Sequence, residues 1–235
     1  MATAYAVRSA AIKSSVFVRL NPEMSRKSLG RNNSAPTPKR QIGRNELRII
    51  GGNWRGRRVK FPSSNELRPT PDRVRETLFN WLQPVIAGSR CLDLFAGSGA
   101  LGLEALSRGA TRVVFVDHEP KVIEHLHAAL SLFKAEGAEP KLIQARRYLE
   151  SPVEAFDIVF LDPPFADESL PATCALLDSR GWLAPGAFIY IERPAREGAP
   201  ALPDQWILHR TGCAGEVGYH LARRQAAPLA RGDTR

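Results

Sequence analysis

The chain has 235 residues, with 33 Lys and Arg against 24 Asp and Glu and a formal net charge of +9. Residues 1–40 carry +7, residues 41–75 carry +6 and residues 76–235 carry −4, so the basic character is confined to the first third and points to an arm or patch for a polyanion on a mildly acidic domain. A hydrophobic share of 43% excludes a wholly disordered chain, no uncharged apolar run approaches the ~18 residues of a membrane span, and the widely spaced Cys91, Cys174 and Cys213 read as buried reduced thiols, not as a disulfide framework or zinc site.

Residues 1–43 lack a sustained hydrophobic period and end in Ser34-Ala35-Pro36-Thr37-Pro38-Lys39-Arg40. They are expected to form a flexible basic tail. A transit peptide (Arg- and Ser-rich, poor in acids) and a true start at Met24 are the alternatives. Order is expected from Leu47. Residues 47–52 and 57–61 read as two strands of a hairpin around Gly52, Asn53 and Gly56. After Pro69-Thr70-Pro71, Asp72 is placed to cap a helix over 72–82, whose Val74, Leu78, Trp81 and Leu82 recur at helical spacing. At least one of Phe79 and Trp81 belongs to the core.

From residue 90 the pattern alternates. Strands are expected over 91–95, 112–117, 141–145, 157–162 and 187–192, and helices over 101–107, 121–134 and 168–179. Such alternation implies a parallel sheet covered by helices on both faces. The end differs, because 206–211 and 217–222 flank a glycine-containing turn and form a hairpin with no helix between them. The division expected is a tail (1–43), a basic hairpin and helix facing a polyanion (44–83), a main domain (84–225) and a flexible C-terminus (226–235).

Asp93-Leu-Phe-Ala-Gly97-Ser-Gly99-Ala-Leu-Gly102 runs from a strand into a helix and fits G-x-G-x-x-G. The glycines allow a tight turn and close backbone approach to a ligand, and the helix start offers unpaired N–H groups. Asp117, at the end of the next strand, is placed to accept from a ribose diol. A nucleoside cofactor follows, and NAD fits as far as this. Asp93 argues against NAD. A carboxylate inside the strand, pointing to the ligand crevice, suits the ammonium and sulfonium of S-adenosylmethionine better than a pyrophosphate.

Asp162-Pro163-Pro164-Phe165 follows the fourth parallel strand directly. The prolines fix φ and remove two N–H donors, so the turn presents the Asp162 carboxylate and the Pro163 carbonyl as a rigid edge of acceptors beside the Phe165 ring. A planar amino group needs two acceptors for its N–H bonds and a π-face for its ring, and Asp162 can take the proton that methylation releases. A strand-exit turn with Asp162 as a helix cap is the structural alternative.

Through these motifs the chain resembles the bacterial 16S rRNA (guanine-N2)-methyltransferases of the RsmD family. The resemblance runs from about Leu47 to Arg223. It is carried by Leu47-Arg-Ile-Ile-Gly-Gly-Asn-Trp-Arg-Gly-Arg57, by Leu67–Leu82, by Asp93–Gly109 and by Asp162-Pro-Pro-Phe165. It implies a Rossmann-like class I S-adenosylmethionine-dependent methyltransferase: an α/β fold with a mainly parallel seven-stranded sheet ending in an antiparallel hairpin, and an N-terminal β-hairpin extension. It implies cofactor contacts at Asp93, Phe95, Gly97, Gly99, Asp117 and Thr70, and the target guanine at Asp162, Pro163 and Phe165. The chain departs from the family after the third strand, where Arg146-Arg147 stand in place of an acid that would hold the adenine amine.

Residues 44–75 gather nine basic side chains, with Trp54 and Phe61 between them. Arg55, Arg57, Arg58, Arg68, Arg73 and Arg75 are the expected RNA contacts, through phosphate and base stacking. The whole reads as a cytoplasmic, monomeric, metal-free enzyme acting on 16S rRNA or the assembling small subunit. A DNA adenine-N6 or cytosine-N4 methyltransferase, an NAD-dependent oxidoreductase and a non-catalytic RNA-binding protein are the alternatives.

Overall fold

Apolar runs of four to six residues followed by amphipathic helices leave each strand with two faces to bury, and the chain solves this by stacking the strands side by side. In the computed structural model, residues 45–61, 70–164 and 169–225 are described. The expected tail over 1–43, the C-terminus over 226–235, Arg68 and Phe165 lie outside them.

The chain opens with a small antiparallel hairpin, β1 (Glu46–Arg48) and β2 (Arg58–Lys60), followed by α1 (Asp72–Leu82). Then come β3 (Arg90–Asp93), α2 (Ala100–Ser107), β4 (Arg112–Asp117), α3 (Pro120–Phe133), β5 (Ala138–Leu142), α4 (Ala145–Leu149), β6 (Phe156–Leu161), α5 (Leu170–Ser179), β7 (Leu183–Pro194), β8 (Trp206–Ala214) and β9 (Val217–Arg224). The last seven strands form one sheet in the order β5-β4-β3-β6-β7-β9-β8. Strands β3 to β7 pair in parallel, and β9 runs antiparallel to both β7 and β8. The seven-stranded, mainly parallel sheet with a closing hairpin expected from the sequence is therefore present. Its strand order reverses between β3 and β6, and in open α/β sheets the crevice outside the carboxyl ends at that point takes the ligand.

Two apolar layers cover the sheet. The hairpin, α1, α2 and α3 bury Leu47, Val59, Val74, Leu78 and Leu126 against Phe115, Ile158 and Phe160. Helices α4 and α5 bury Leu149, Cys174 and Leu177 against Val114, Val159 and Ile189. The hairpin and α1 thus share one core with the sheet. Within α1, Phe79 is fully buried, while Trp81 is partly exposed and its ring lies 5.6 Å from that of Tyr219.

The hairpin is held down by α2. Glu104, fully buried, accepts from the backbone N–H of Ile50 at 2.8 Å and of Gly51 at 2.7 Å. The Ser107 hydroxyl donates to Gly51 O at 2.6 Å and accepts from Trp54 N at 2.9 Å. These contacts explain why the first strand stops short of Gly52: the Ile50 and Gly51 N–H groups are used by α2, and residues 52–54 form one 3-10 turn.

Four sequence expectations need correction. The third parallel strand is Ala138–Leu142, not 141–145, and 145–149 is helical. Strand β5 carries Pro140, which is tolerated because β5 is the edge of the sheet, where a missing N–H costs nothing to a neighbour. The strand expected over 187–192 extends over 183–194. Asp72 is the first residue of α1 and not its cap; Pro71 holds the cap position, with no side-chain cap bond. Cys91 and Cys174 are buried free thiols as expected, but Cys213 is exposed on β8, at the sheet's other edge.

Candidate active site

A cavity of about 1410 Å³ opens at the carboxyl ends of β3, β4 and β6. Thr70, Asp93, Phe95, Gly97, Asp117, Asp162 and Pro163, seven of the residues singled out in the sequence, line it together.

The glycine loop shapes one wall. Gly99 stands at the start of α2 with φ +77 and donates its N–H to Ala96 O at 2.7 Å. It is buried and makes the turn, while Gly97 and Ser98 line the cavity. Gly102 packs α2 onto the sheet, and a Cβ there would run into the Phe115 ring.

Two acids fix this loop. Asp93 accepts the Gly102 N–H at 2.9 Å from beneath. It is 2% exposed, and burial, opposed by that hydrogen bond and reinforced by Asp117 and Glu192, pushes its carboxyl up to about 7. Asp117 accepts from Gly97 N through Oδ2 at 2.9 Å and from Glu119 N through Oδ1 at 2.9 Å. Each of its oxygens keeps a further lone pair for a ligand hydroxyl. Beyond it, Gln144, Ala145 and Arg146 line the far end, where α4 begins.

The opposite wall is the turn after β6. Asp162 is partly buried and Pro163 buried. Burial first, then the charges of Glu192 and Asp93, hold the Asp162 carboxyl well above the usual carboxylate range. Thr70, just before α1, reaches over from the other side of the cleft: its hydroxyl donates to Glu192 Oε1 at 2.8 Å and stands 3.5 Å from Asp162 Oδ2. Glu192, 3% exposed on β7, also accepts from the Tyr190 hydroxyl at 2.8 Å. Sequence reasoning missed Glu192. The available signal was an acid following the apolar run Ala187–Ile191, where a strand rarely tolerates an unneeded charge.

The arginines divide. Arg55 and Arg73 are exposed, as are Arg57 and Arg58. Arg57 lies 4.4 Å over the Phe133 ring and donates to Leu132 O at 2.8 Å, and Arg58 pairs with Glu46 at 2.7 Å. Arg75 is corrected: it is fully buried, donating to Thr70 O, Arg48 O and Asp72 Oδ1, and cannot reach a phosphate. The residues between 44 and 75 gave it the same pattern as its neighbours, and only the inward face of α1 separates it from them.

The family described as Conserved hypothetical protein 95 matches residues 47–223. The chain belongs to this family. Among its relatives, the Escherichia coli (strain K12) protein named Ribosomal RNA small subunit methyltransferase D is 48% identical over 184 residues, covering 78% of this chain and 93% of that one. The Haemophilus influenzae protein of the same name is 43% identical, covering 75% and 93%. The solved structure of Escherichia coli yhhF superposes with a TM-score of 0.73 at 46% identity, covering 78% of this chain and all of that one. This family member is a methyltransferase with the fold its sequence pattern implied. Among the described residues no helix is long and apolar enough to cross a membrane, and no group of His, Cys, Asp and Glu is arranged to hold a metal ion.

Proposed function

We propose that the protein transfers a methyl group from S-adenosylmethionine to the exocyclic N2 amine of a guanine in 16S rRNA, acting in the cytoplasm as a monomer during small-subunit maturation. The observation that carries this reading is the meeting of the glycine loop and the Asp162–Pro163 turn in one cavity. The names of the relatives supply the RNA.

The residues present fit the cofactor. Asp93, Asp162 and Glu192 form no ion pair with Lys, Arg or His among the described residues, and a cavity holding uncompensated buried carboxylates favours a cationic ligand. When bound, the cofactor supplies an electrophilic methyl on a sulfonium. Asp117 and the Gly97 backbone are placed to hold a ribose and its flanking groups. Asp162 and the Pro163 carbonyl hold the amine by its two N–H bonds and so turn its lone pair toward the methyl, which makes positioning the main contribution to rate. The target base must be unpaired or flipped to enter, at a cost of roughly a few kcal/mol.

The test is labelled S-adenosylmethionine offered separately with naked 16S rRNA, assembled small subunits and DNA, followed by mapping of the labelled base. Label on a guanine N2 of 16S rRNA is expected. Label on DNA adenine or cytosine, or on no RNA form, would overturn the reading.

A further inference from the structure

Glu192 has no part in the methyl-transfer scheme, yet it is 3% exposed, lines the same cavity and has no cation beside it among the described residues. Both of its donors, the Thr70 and Tyr190 hydroxyls, take the one oxygen Oε1 at 2.8 Å. The Thr70 hydroxyl also stands 3.5 Å from Asp162 Oδ2. A hydroxyl has one proton to give and two lone pairs to receive with. It can therefore serve both acids only if it donates to one and accepts from the other, and the shorter contact assigns the donation to Glu192.

We propose that Asp162 and Glu192 work as one acid–base unit sharing a single proton across the Thr70 hydroxyl, with Asp162 meeting the target amine and Glu192 acting as its positioning residue. The proposal rests on the reading of this cavity as a site of methyl transfer to an amine. Two hydroxyl donors keep Glu192 the ionised partner, although burial raises its carboxyl too. At rest the shared proton sits on Asp162, whose carboxyl is raised by burial and then by Glu192. A cationic cofactor favours the ionised form of Asp162, so its binding expels the proton and frees the acceptor that the amine needs.

Transfer returns the proton. The N–CH3 bond forms as the S–CH3 bond of the cofactor breaks, and one N2–H proton passes to the Asp162 carboxylate. Sulfonium and carboxylate become neutral thioether and neutral acid, so charge balances within the cavity. Glu192 makes that acid a stable resting place until the spent cofactor is exchanged.

The groups that bear on the pair are Asp93 from β3, Thr70 before α1 and Tyr190 from β7, with Tyr219 of β9 acting on Tyr190 and Asp117 of β4 acting on Asp93. Lys121, Arg146, His118, Glu119 and Glu216 also line the cavity.

Calorimetry of S-adenosylmethionine binding in two buffers of different ionisation enthalpy counts the protons released near pH 7. The wild type is expected to release a measurable fraction of one proton, and to release less than half as much with S-adenosylhomocysteine, whose sulfur is uncharged. Glu192→Gln, close to isosteric, should cut the release at least twofold, because one of the charges that raise the Asp162 carboxyl is then gone, while burial and Asp93 remain. It should also move the acid limb of the kcat–pH profile down by about one pH unit, since removing a like charge lowers the pKa of its neighbour. Glu192→Asp should restore part of both. Equal release with the two cofactor forms, a comparison that needs no variant, would overturn the proposal. So would a folded Glu192→Gln protein with unchanged release and an unmoved limb. Proton release without methylation of any RNA would leave the pair standing and fell the rRNA reading, and a methylated guanine with an unmoved limb would do the reverse.

Discussion

Arg75 Nη1 lies 3.6 Å from Glu104 Oε2, and neither side chain is exposed to solvent. The pair joins α1, which carries Thr70 at its approach to the cavity, to α2, which starts at the glycine loop. Glu104 also holds the hairpin through Ile50 and Gly51 and takes Arg108 Nε at 2.8 Å. The buried acid is thus fully used, whereas among the described residues Arg75 Nη1 has Glu104 as its close partner and makes no hydrogen bond.

Removing one side of a buried pair costs ~3–5 kcal/mol where the remaining charge is left unpaired, and the lower end applies here because Glu104 keeps Arg108 and Arg75 keeps Asp72. Glu104→Gln and Arg75→Met are each expected to lose stability of that order in urea unfolding. The double variant should recover part of it. Amide exchange should quicken at Ile50 and Gly51 in Glu104→Gln more than in Arg75→Met, because only the first weakens the acceptor those amides use. Two equal, additive losses would show that the residues do not interact.

Asp162→Ala is expected to abolish methyl transfer while leaving S-adenosylmethionine affinity within a few fold, since the proposed function gives Asp162 the amine and not the cofactor's ribose. Asp117→Ala should do the opposite, weakening the cofactor by at least tenfold through loss of the Gly97 and Glu119 anchors as well as the proposed ribose contact, while saturating cofactor restores much of kcat. Equilibrium binding and initial rates on the same samples separate the two. A collapse of cofactor affinity in Asp162→Ala would remove the role given to it.

The contrast between these acids bears on what a sequence can reveal. That Asp93, Asp117 and Asp162 would line one cavity was legible because each ends or directly follows a strand that feeds a turn, and the parallel sheet follows from strand–helix alternation. Glu192 was not, since its importance comes from β7 lying beside β6 in the sheet, a pairing 30 residues distant in the chain. Arg75 failed for a related reason. Its charge resembles that of Arg73, and only the packing of α1 against α2 turns one inward and leaves the other in solvent. Strand β5 starts three residues earlier than expected and includes Pro140, which a strand tolerates only at an edge, and edges are a property of the assembled sheet.

Asp93 makes the empty protein sensitive to pH. Its folded carboxyl titrates at about 7, raised first by burial, against an ordinary value near 3.9. The folded state therefore binds its proton more tightly than the unfolded state does. The stability gained is fully present below pH ~4 and is lost as pH rises toward 7. Asp93→Asn carries no such proton, so the Tm of the wild type relative to the variant should fall steadily across pH 4 to 7 and level off above it. Acid unfolding driven by other groups affects both proteins and cancels in the difference. A Tm difference independent of pH would mean that Asp93 is not a raised carboxyl.

The exposed arginines of the hairpin should reveal which of them meets RNA. Removing a side chain that neutralises one phosphate reduces the slope of log affinity against log salt by ~0.7–0.9. Arg55→Ala is expected to reduce it by about that much with no change in Tm. Arg57→Ala should lower RNA affinity and also some stability, because its guanidinium covers Phe133 and holds Leu132 O. Arg58→Ala should cost the least, since Glu46 already neutralises that charge. Arg75→Met, by contrast, should leave the slope unchanged, because a fully buried guanidinium releases no counterion from RNA. Deletion of residues 1–40 should spare kcat and at most weaken salt-sensitive binding. Loss of catalysis on that deletion, matching the loss in an Arg55, Arg57 and Arg58 triple variant, would place the RNA grip in the tail as much as in the hairpin.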